Sequence, residues 1–402
     1  MSWIETLLSG VGVIGSMAWL GHLAHLVRHR DKAVFVSAMG DDEPQGGWPG
    51  LAVIFAARDE AGMVGAATRS MLGQDYPGLE VIAVDDRSAD DTGSILDAIA
   101  REDGRLRVVH VRDLPPGWLG KTHALESGAG MTRAAWLLFT DADVVFRPGA
   151  LRRAVAFAAA GRLDHITIGP EVPTESTGER MFLALFGLLF AMHAPLGRLD
   201  DRRSRAHAGI GAFNLVRAEA FRAIGGFRRL ALSVDDDMRL GQALKYAGYR
   251  MRFLLGMGAV SVRWQVGLWG MVRGLEKNFF AGLGFSLPRA AAVALGVAVV
   301  GVGPHVGLFV GPWWARLICG LGVAAIAGML LAASRQSRIG WYYAALIPVA
   351  SAILILTLAR SVALTILRGG VRWRGHLYPL RELKEHVRRR DEWAREVWKS
   401  TR

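Results

Sequence analysis

Acidic residues gather at four places in this 402-residue chain: Asp59-Glu60, Asp85-Asp86, Asp141-Ala142-Asp143 and Asp235-Asp236-Asp237. The first three follow directly on short apolar runs. A lone acidic pair after a strand commonly caps the next helix, and Asp90 or Asp91 suits that role here. Three such clusters ask for more, because converging carboxylates repel one another unless a cation or a proton-transfer role relieves them. Asp141 and Asp143 flank one residue, so in extended geometry both side chains leave the same face. Two hard oxygen ligands suit Mg²⁺ or Mn²⁺, ions often held by few carboxylates together with substrate phosphates. The ligand inferred is a diphosphate, with Asp85 and Asp86 placed to accept from N–H or hydroxyl groups of a nucleoside.

The elements that must position these residues follow from the apolar pattern. LAVIFAA (51–57), LEVIAVDD (79–86), LRVVHV (106–111) and AWLLFTDAD (135–143) read as strands, with helical patterns such as 61–73 and 92–101 between them. That alternation predicts an α/β domain over 51–264 with an open, mostly parallel sheet and helices on both faces. Ligands of such sheets bind outside the carboxyl ends of the strands, where the acidic clusters fall.

The remainder is more apolar. The mean hydropathy is +0.25 and 51% of residues are hydrophobic, which excludes disorder as the dominant state. Cys319 is the single cysteine, inside an apolar run, which excludes a disulfide framework and reads as a small buried residue. Residues 6–27 carry no Asp, Glu, Lys or Arg and precede Arg28, Arg30 and Lys32. This is the reverse of a signal peptide, and predicts a retained anchor (1–32) with its C-terminal side in the cytoplasm. Residues 33–50 read as a linker, 265–288 as an interfacial amphipathic segment and 369–402 as a basic cytoplasmic tail. Apolar stretches at 290–311, 313–333 and 341–367 form a membrane region over 289–368. The tail carries ten Lys/Arg against five Asp/Glu, which conflicts with three full crossings. Gly301–Pro304 is the candidate break, and the number of crossings stays open. The stretch 181–197 is short for a crossing and reads equally as interfacial or as a buried domain helix. In 380–399 the Arg388–Arg390 run with Trp393 and Trp398 favours a membrane surface over a solvated helix. The net charge of +12 admits nucleic acid or an anionic membrane, and no nucleic-acid motif is present.

Taken together, Ala57-Arg58-Asp59-Glu60, Val84-Asp85-Asp86-Arg87-Ser88, Asp141-Ala142-Asp143 and Asp236-Asp237-Met238-Arg239-Leu240 resemble glycosyltransferase family 2 in order and spacing. That family has the GT-A fold, a Rossmann-like nucleotide-diphospho-sugar transferase sheet. Pro116-Gly117-Trp118-Leu119-Gly120-Lys121 and Val371-Arg372-Trp373-Arg374-Gly375-His376-Leu377-Tyr378 are similar to motifs of its membrane-anchored branch acting on lipids, the ceramide, carotenoid and hopanoid-associated members. The resemblance implies that Ala57, Arg58, Asp59 and Glu60 contact the nucleoside, although Asp59 replaces a common Asn. It implies that Asp85 and Asp86 bind base and ribose, and that Asp143, helped by Asp141, holds Mg²⁺ or Mn²⁺ on the diphosphate. It puts the general base at Asp237 with Asp236 beside it, and leaves a one-residue ambiguity towards Asp235. Trp118, His207, Gly209, Gly211, Trp373, Arg374 and Tyr378 become candidates around the acceptor, and Arg273, Lys277 and Asn278 candidates for acceptor or diphosphate contacts.

The expected protein is an integral membrane enzyme, in a bacterial inner membrane with its catalytic domain cytoplasmic. It moves a sugar from a nucleoside diphosphate, a UDP-sugar, to a hydroxyl of a membrane lipid, with inversion. The alternatives are a polysaccharide or polyprenyl-phosphate sugar synthase, and a non-catalytic scaffold with a degenerate sugar-nucleotide domain. The Gln-x-x-Arg-Trp motif of processive synthases is missing; Val262-Arg263-Trp264 keeps only the Arg-Trp, which argues against polymer synthesis. Pro115 stands where a phosphate loop needs Gly, which disfavours an ATPase, while Lys121 can still serve as a point charge for phosphate. Gly209-Ile210-Gly211 is half of a dinucleotide fingerprint and more often marks tight packing.

Overall fold

Strands and helices take up these patterns in the computed structural model, which describes residues 2–401. The chain divides into two units. One holds residues up to Lys32, Thr174–Gly197 and Trp264–Trp373; the other holds Ala33–Pro173, Arg198–Arg263 and the chain from Arg374 onward.

The second unit contains β1 (Leu51–Ala57), β2 (Leu79–Asp86), β3 (Leu106–Val111), β4 (Trp136–Asp141), β5 (Val144–Phe146), β6 (His165–Gly169), β7 (Asn214–Arg217), β8 (Met251–Leu255) and β9 (Val260–Val262). Seven of them form a sheet in the order β3-β2-β1-β4-β7-β6-β8, while β5 pairs with β9. Only β7 runs against its neighbours β4 and β6 in this sheet, so the expected mostly parallel α/β architecture holds. The central strand β1 is apolar throughout, and both its faces are covered. Val53, Phe55 and Ala57 of β1 join one core with Met71 and Leu96. Ala52 and Ile54 join another with Leu125 and Leu240.

Register then gathers the polar ends. Ala57 lies opposite Asp85 and Ala56 opposite Asp141, so the carboxylates leave β1, β2 and β4 at one edge of the sheet. The chain leaves β1 towards β2 and β3 on one side and reaches β4 on the other. Such a reversal opens a crevice at the carboxyl ends. The segment 33–50, expected as a linker, is partly laid onto this unit: Val36 is buried and Leu255 donates its N–H to the Val34 carbonyl.

The first unit is helical. Among the described residues, five helices are long and apolar enough to cross a membrane: Trp3–Arg28, Thr177–Leu199, Leu287–Gly307, Trp313–Ser334 and Trp341–Leu367. The second is longer than the stretch 181–197 because Ser176 and Glu179 form a capping box that starts it earlier. At 301–304 the helix is interrupted at Val302, between Leu287–Gly301 and Gly303–Gly307, yet Val306 still donates to the Val302 carbonyl. Pro304, lacking an N–H, accounts for the local break. Small residues permit close packing of these helices: a Cβ on Gly12 would sit 3.0 Å from the Cys319 sulfur. Cys319 is buried and free, as expected. The Trp19 indole donates to the Val300 carbonyl at 2.6 Å.

Candidate active site

At the ends of β1 and β2 the acidic residues are tied into the protein. Asp59 has a left-handed backbone (φ 53°); it accepts from Ala89 N–H at 2.8 Å and its own N–H donates to Ser88 Oγ at 3.1 Å. The Glu60 N–H donates to Thr92 Oγ1 at 2.8 Å, and Asp90, not Asp91, caps the next helix through the Thr92 N–H and hydroxyl. Asp85 accepts from Ser88 N–H at 3.2 Å and faces His110 Nδ1 at 3.0 Å. Asp86 receives a two-pronged guanidinium from Arg87, at 2.8 and 3.0 Å, and Arg58 stands 3.8 Å away. Arg58 also flanks Asp59 at 4.0 Å. Two residues from far along the chain join them: Arg374 pairs with Glu60, and the Gly120 N–H donates to the Tyr378 hydroxyl at 3.4 Å. The fork of Arg87 and the pairing of Arg374 carry no advance signal in the spacing.

Lys121 begins the helix Gly120–Gly130 and lies 2.7 Å from Asp141 and 3.5 Å from Asp236. Burial alone would lower its pKa, but the charges of Asp141, Asp236 and Asp237 hold it above the ordinary lysine value. Lys121 is therefore a half-buried cation held by carboxylates, not a solvated helix-start lysine. Its loop is anchored by Leu119 N–H and Thr122 Oγ1, both donating to the Ala231 carbonyl, and by Trp118 set edge-on to His123. Asp143 is pushed up to about 7 by burial, then by the charges of Asp141 and Glu60.

Among the described residues no group of three or more His, Cys, Asp or Glu is gathered as a metal cage. Asp141 and Asp143 alone suit an ion that takes one or two carboxylates plus substrate phosphates. A divalent cation would offset both the burial that raises Asp143 and its repulsion from Asp141, so this pair fits such an ion.

The three consecutive aspartates face different partners. Asp235 is bound by Arg239 at 2.8 Å and lies 3.9 Å from Arg390. Asp236 is buried and faces Lys121. Asp237 accepts from Gly211 N–H at 2.8 Å and from Met238 N–H at 2.7 Å. Burial raises its pKa; Lys121 and the Met238 N–H oppose that rise, and the charges of Asp141 and Asp235 add to it. Gly209 is required by contact: a Cβ there would fall on the Asp237 carbonyl. A Cβ on Gly211 would come within 2.5 Å of Asp141 Oδ2. These glycines thus bring one loop against both acidic groups. His207, from the same loop, packs edge-on to Tyr246.

Two supports of this site escape sequence reading. His165, Thr167 and Asn214 are polar residues buried within apolar strands, and that mismatch was their only signal. Thr167 Oγ1 accepts from Ile210 N–H at 3.0 Å and Asn214 donates to the Ile210 carbonyl at 3.0 Å, while His165 Nε2 meets Asn214 at 3.0 Å. The other support is the helix Leu380–Ser400, whose Leu383, Arg390, Ala394 and Trp398 are buried. His386 lies 3.2 Å from Ser233 Oγ, Arg390 3.4 Å from the same oxygen, and Trp398 packs on Tyr246. Trp393 sits under Arg229. The tryptophans expected at a membrane surface are instead taken up by the domain, because they lie on the helix's apolar stripe.

The other proposed acceptor residues lie in the helical unit. Arg273 stacks over Trp269, and Lys277 sits 3.6 Å from the Trp373 ring centroid. Asn278 starts a short helix with its side-chain oxygen buried and without a hydrogen-bond partner.

A family model described as glycosyltransferase like family 2 matches residues 49–265. A beta-monoglucosyldiacylglycerol synthase of Synechocystis sp. is 26% identical over 200 residues, covering 48% of this chain and 40% of that protein. One from Trichormus variabilis is 23% identical over 245 residues, covering 59% of this chain and 48% of that protein. The chain therefore spans less than half the length of these curated relatives. A mannosyltransferase from Pyrobaculum calidifontis, solved in complex with GDP-Man and Mn²⁺, superposes with a TM-score of 0.52 at 17% identity, covering 90% of this chain and 99% of that one. That likeness is one of fold.

Proposed function

This chain belongs to the glycosyltransferases like family 2, and we propose that it transfers a sugar, with inversion, from a UDP-sugar to a hydroxyl of a membrane lipid. The observation that carries this reading is the convergence of Lys121, Asp141, Asp236 and Asp237 at the carboxyl edge of the sheet, with Asp143 held up by burial and then by its neighbours' charges. The five apolar helices and the lipid-synthase relatives support a lipid acceptor. Arg28, Arg30 and Lys32 after the first helix support a cytoplasmic catalytic domain.

In this mechanism Asp237 takes the proton of the acceptor hydroxyl as that oxygen attacks the anomeric carbon. Its raised pKa makes it a better proton acceptor than an exposed carboxylate. The N–H groups of Gly211 and Met238 aim its two oxygens. Lys121 stays charged and offers a point charge to the departing diphosphate. A Mg²⁺ or Mn²⁺ ion held by Asp143 and Asp141 would supply further stabilisation of that leaving group. Asp236 balances Lys121 and keeps it directed into the crevice.

The test incubates membranes containing the protein with labelled UDP-sugars and Mg²⁺ or Mn²⁺, then extracts lipids for mass spectrometry. A single glycolipid is expected from wild type. Asp143→Asn and Asp237→Asn should each lower turnover by about 10²–10⁴-fold; folded variants that turn over like wild type would refute the assignment. A product ladder would instead mean a polymerase, and a phosphate-linked sugar a polyprenyl carrier.

A further inference from the structure

The carboxylates expected to receive the nucleoside already have partners within the protein. Both oxygens of Asp86 are taken by Arg87, while Asp85 is engaged by Ser88 and His110. Beside these paired carboxylates the same edge of the sheet presents the guanidinium groups of Arg58, Arg87 and Arg374. Arg374 comes from 314 residues beyond its partner Glu60, and its side chain remains 41% exposed. Carboxylate pairing through one amino group of a five-donor fork leaves other N–H groups directed outward.

The backbone marks the same place. Six non-glycine residues among the described ones have left-handed φ, and three of them, Asp59, Arg87 and Arg374, lie here. Such a backbone is strained and persists where surrounding structure enforces it, a pattern concentrated at ligand sites. Arg374 and Gly375 (φ 47° and 79°) form the reversal that presents the guanidinium. Three residues later the Tyr378 hydroxyl accepts the Gly120 N–H, next to Lys121, and pins the returning strand. Glu60 follows β1, whose Ala56 lies opposite Asp141, so Arg374 reaches the same carboxyl edge of the sheet as the proposed diphosphate position.

We propose that Arg374 is a donor-binding residue whose guanidinium, aimed by Glu60, contacts the diphosphate of the sugar nucleotide. This rests on the reading of the chain as a nucleoside-diphosphate-sugar transferase, and moves Arg374 from the acceptor side to the donor side. Planar guanidinium forks match phosphate oxygens in a way lysine does not.

The experiment measures binding of UDP and of GDP to the full-length, detergent-solubilised protein with Mn²⁺, alongside the KM for donor and for acceptor. Arg374→Ala should weaken nucleoside diphosphate binding about ten- to a hundredfold. It should raise donor KM by a similar factor, leave acceptor KM within twofold, and leave the unfolding temperature unchanged. Arg374→Lys should recover only part of the loss. If Arg374→Ala binds like wild type while Asp143→Asn loses binding, the transferase reading stands and the role of Arg374 falls. A rise confined to acceptor KM also overturns it. If wild type binds neither nucleotide, the transferase reading falls and this inference with it.

Discussion

Asp235, Asp236 and Asp237 are adjacent, yet the start of the helix Asp236–Tyr246 turns each towards a different group, and that separates their expected roles. Asp235 is committed to Arg239 and Arg390. Asp235→Asn should therefore cost stability first, and its kcat should stay well above that of Asp237→Asn, whose carboxylate is aimed by two N–H groups. Steady-state kinetics beside denaturant unfolding of both variants checks this. The sequence left the choice open by one position because spacing does not reveal which carboxylate an arginine from residue 390 will claim. Asp59 carries a similar lesson: its type and place after a strand are legible, but its use in bracing the 88–89 turn depends on contacts 29 and 30 residues away.

At the level of elements, the parallel strands and their carboxyl-end acids were legible because apolar runs and strand-end polarity are local patterns. The tail helix Leu380–Ser400 was not, since a basic helix with tryptophans on one stripe fits a membrane surface and a protein groove equally well. Its seating makes Arg390 a positioning residue for the loop that leads into Asp235–Asp237. Arg390→Ala should cost about 3 kcal/mol of stability, the order expected when a buried ion pair loses one partner. It should lower kcat with little change in donor KM, and Arg390→Lys should recover part of the loss. The polar network under the 209–214 loop and the seat of the tail helix share a pH signature. His165 is lowered to about 4 by burial, against its hydrogen bond to the Asn214 side-chain oxygen; His386 is lowered to about 4 by burial and then by Arg390. An unfolded histidine takes up its proton near pH 6.5, whereas these hold out until about 4. Stability is thus full above about 6.5 and lost as pH falls towards 4, by roughly 3 kcal/mol for each histidine at the lower limit. Denaturant midpoints across that window should show the fall, and His386→Gln should remove its share.

For the molecule as a whole, the positive hydropathy is accounted for by helices that expose apolar side chains such as Leu295, Leu317, Leu321 and Leu356. On the proposed membrane reading lipid covers these, so the protein should stay in the membrane fraction after alkaline carbonate or high-salt washing and be released by detergent. Recovery in the carbonate wash would contradict the membrane reading. The helix starting at Thr177 shows why sequence length undercounted the candidates: its first turn is polar and belongs to the capping box rather than to the apolar run.

The return of residues 374–401 to the sheet has a consequence for how the protein is made. Glu60 waits for a partner synthesised 314 residues later, Gly120 for one 258 residues later, and Ser233 for Arg390. This edge of the sheet is therefore completed only after residues 374–390 have been synthesised, later than every apolar helix that precedes them.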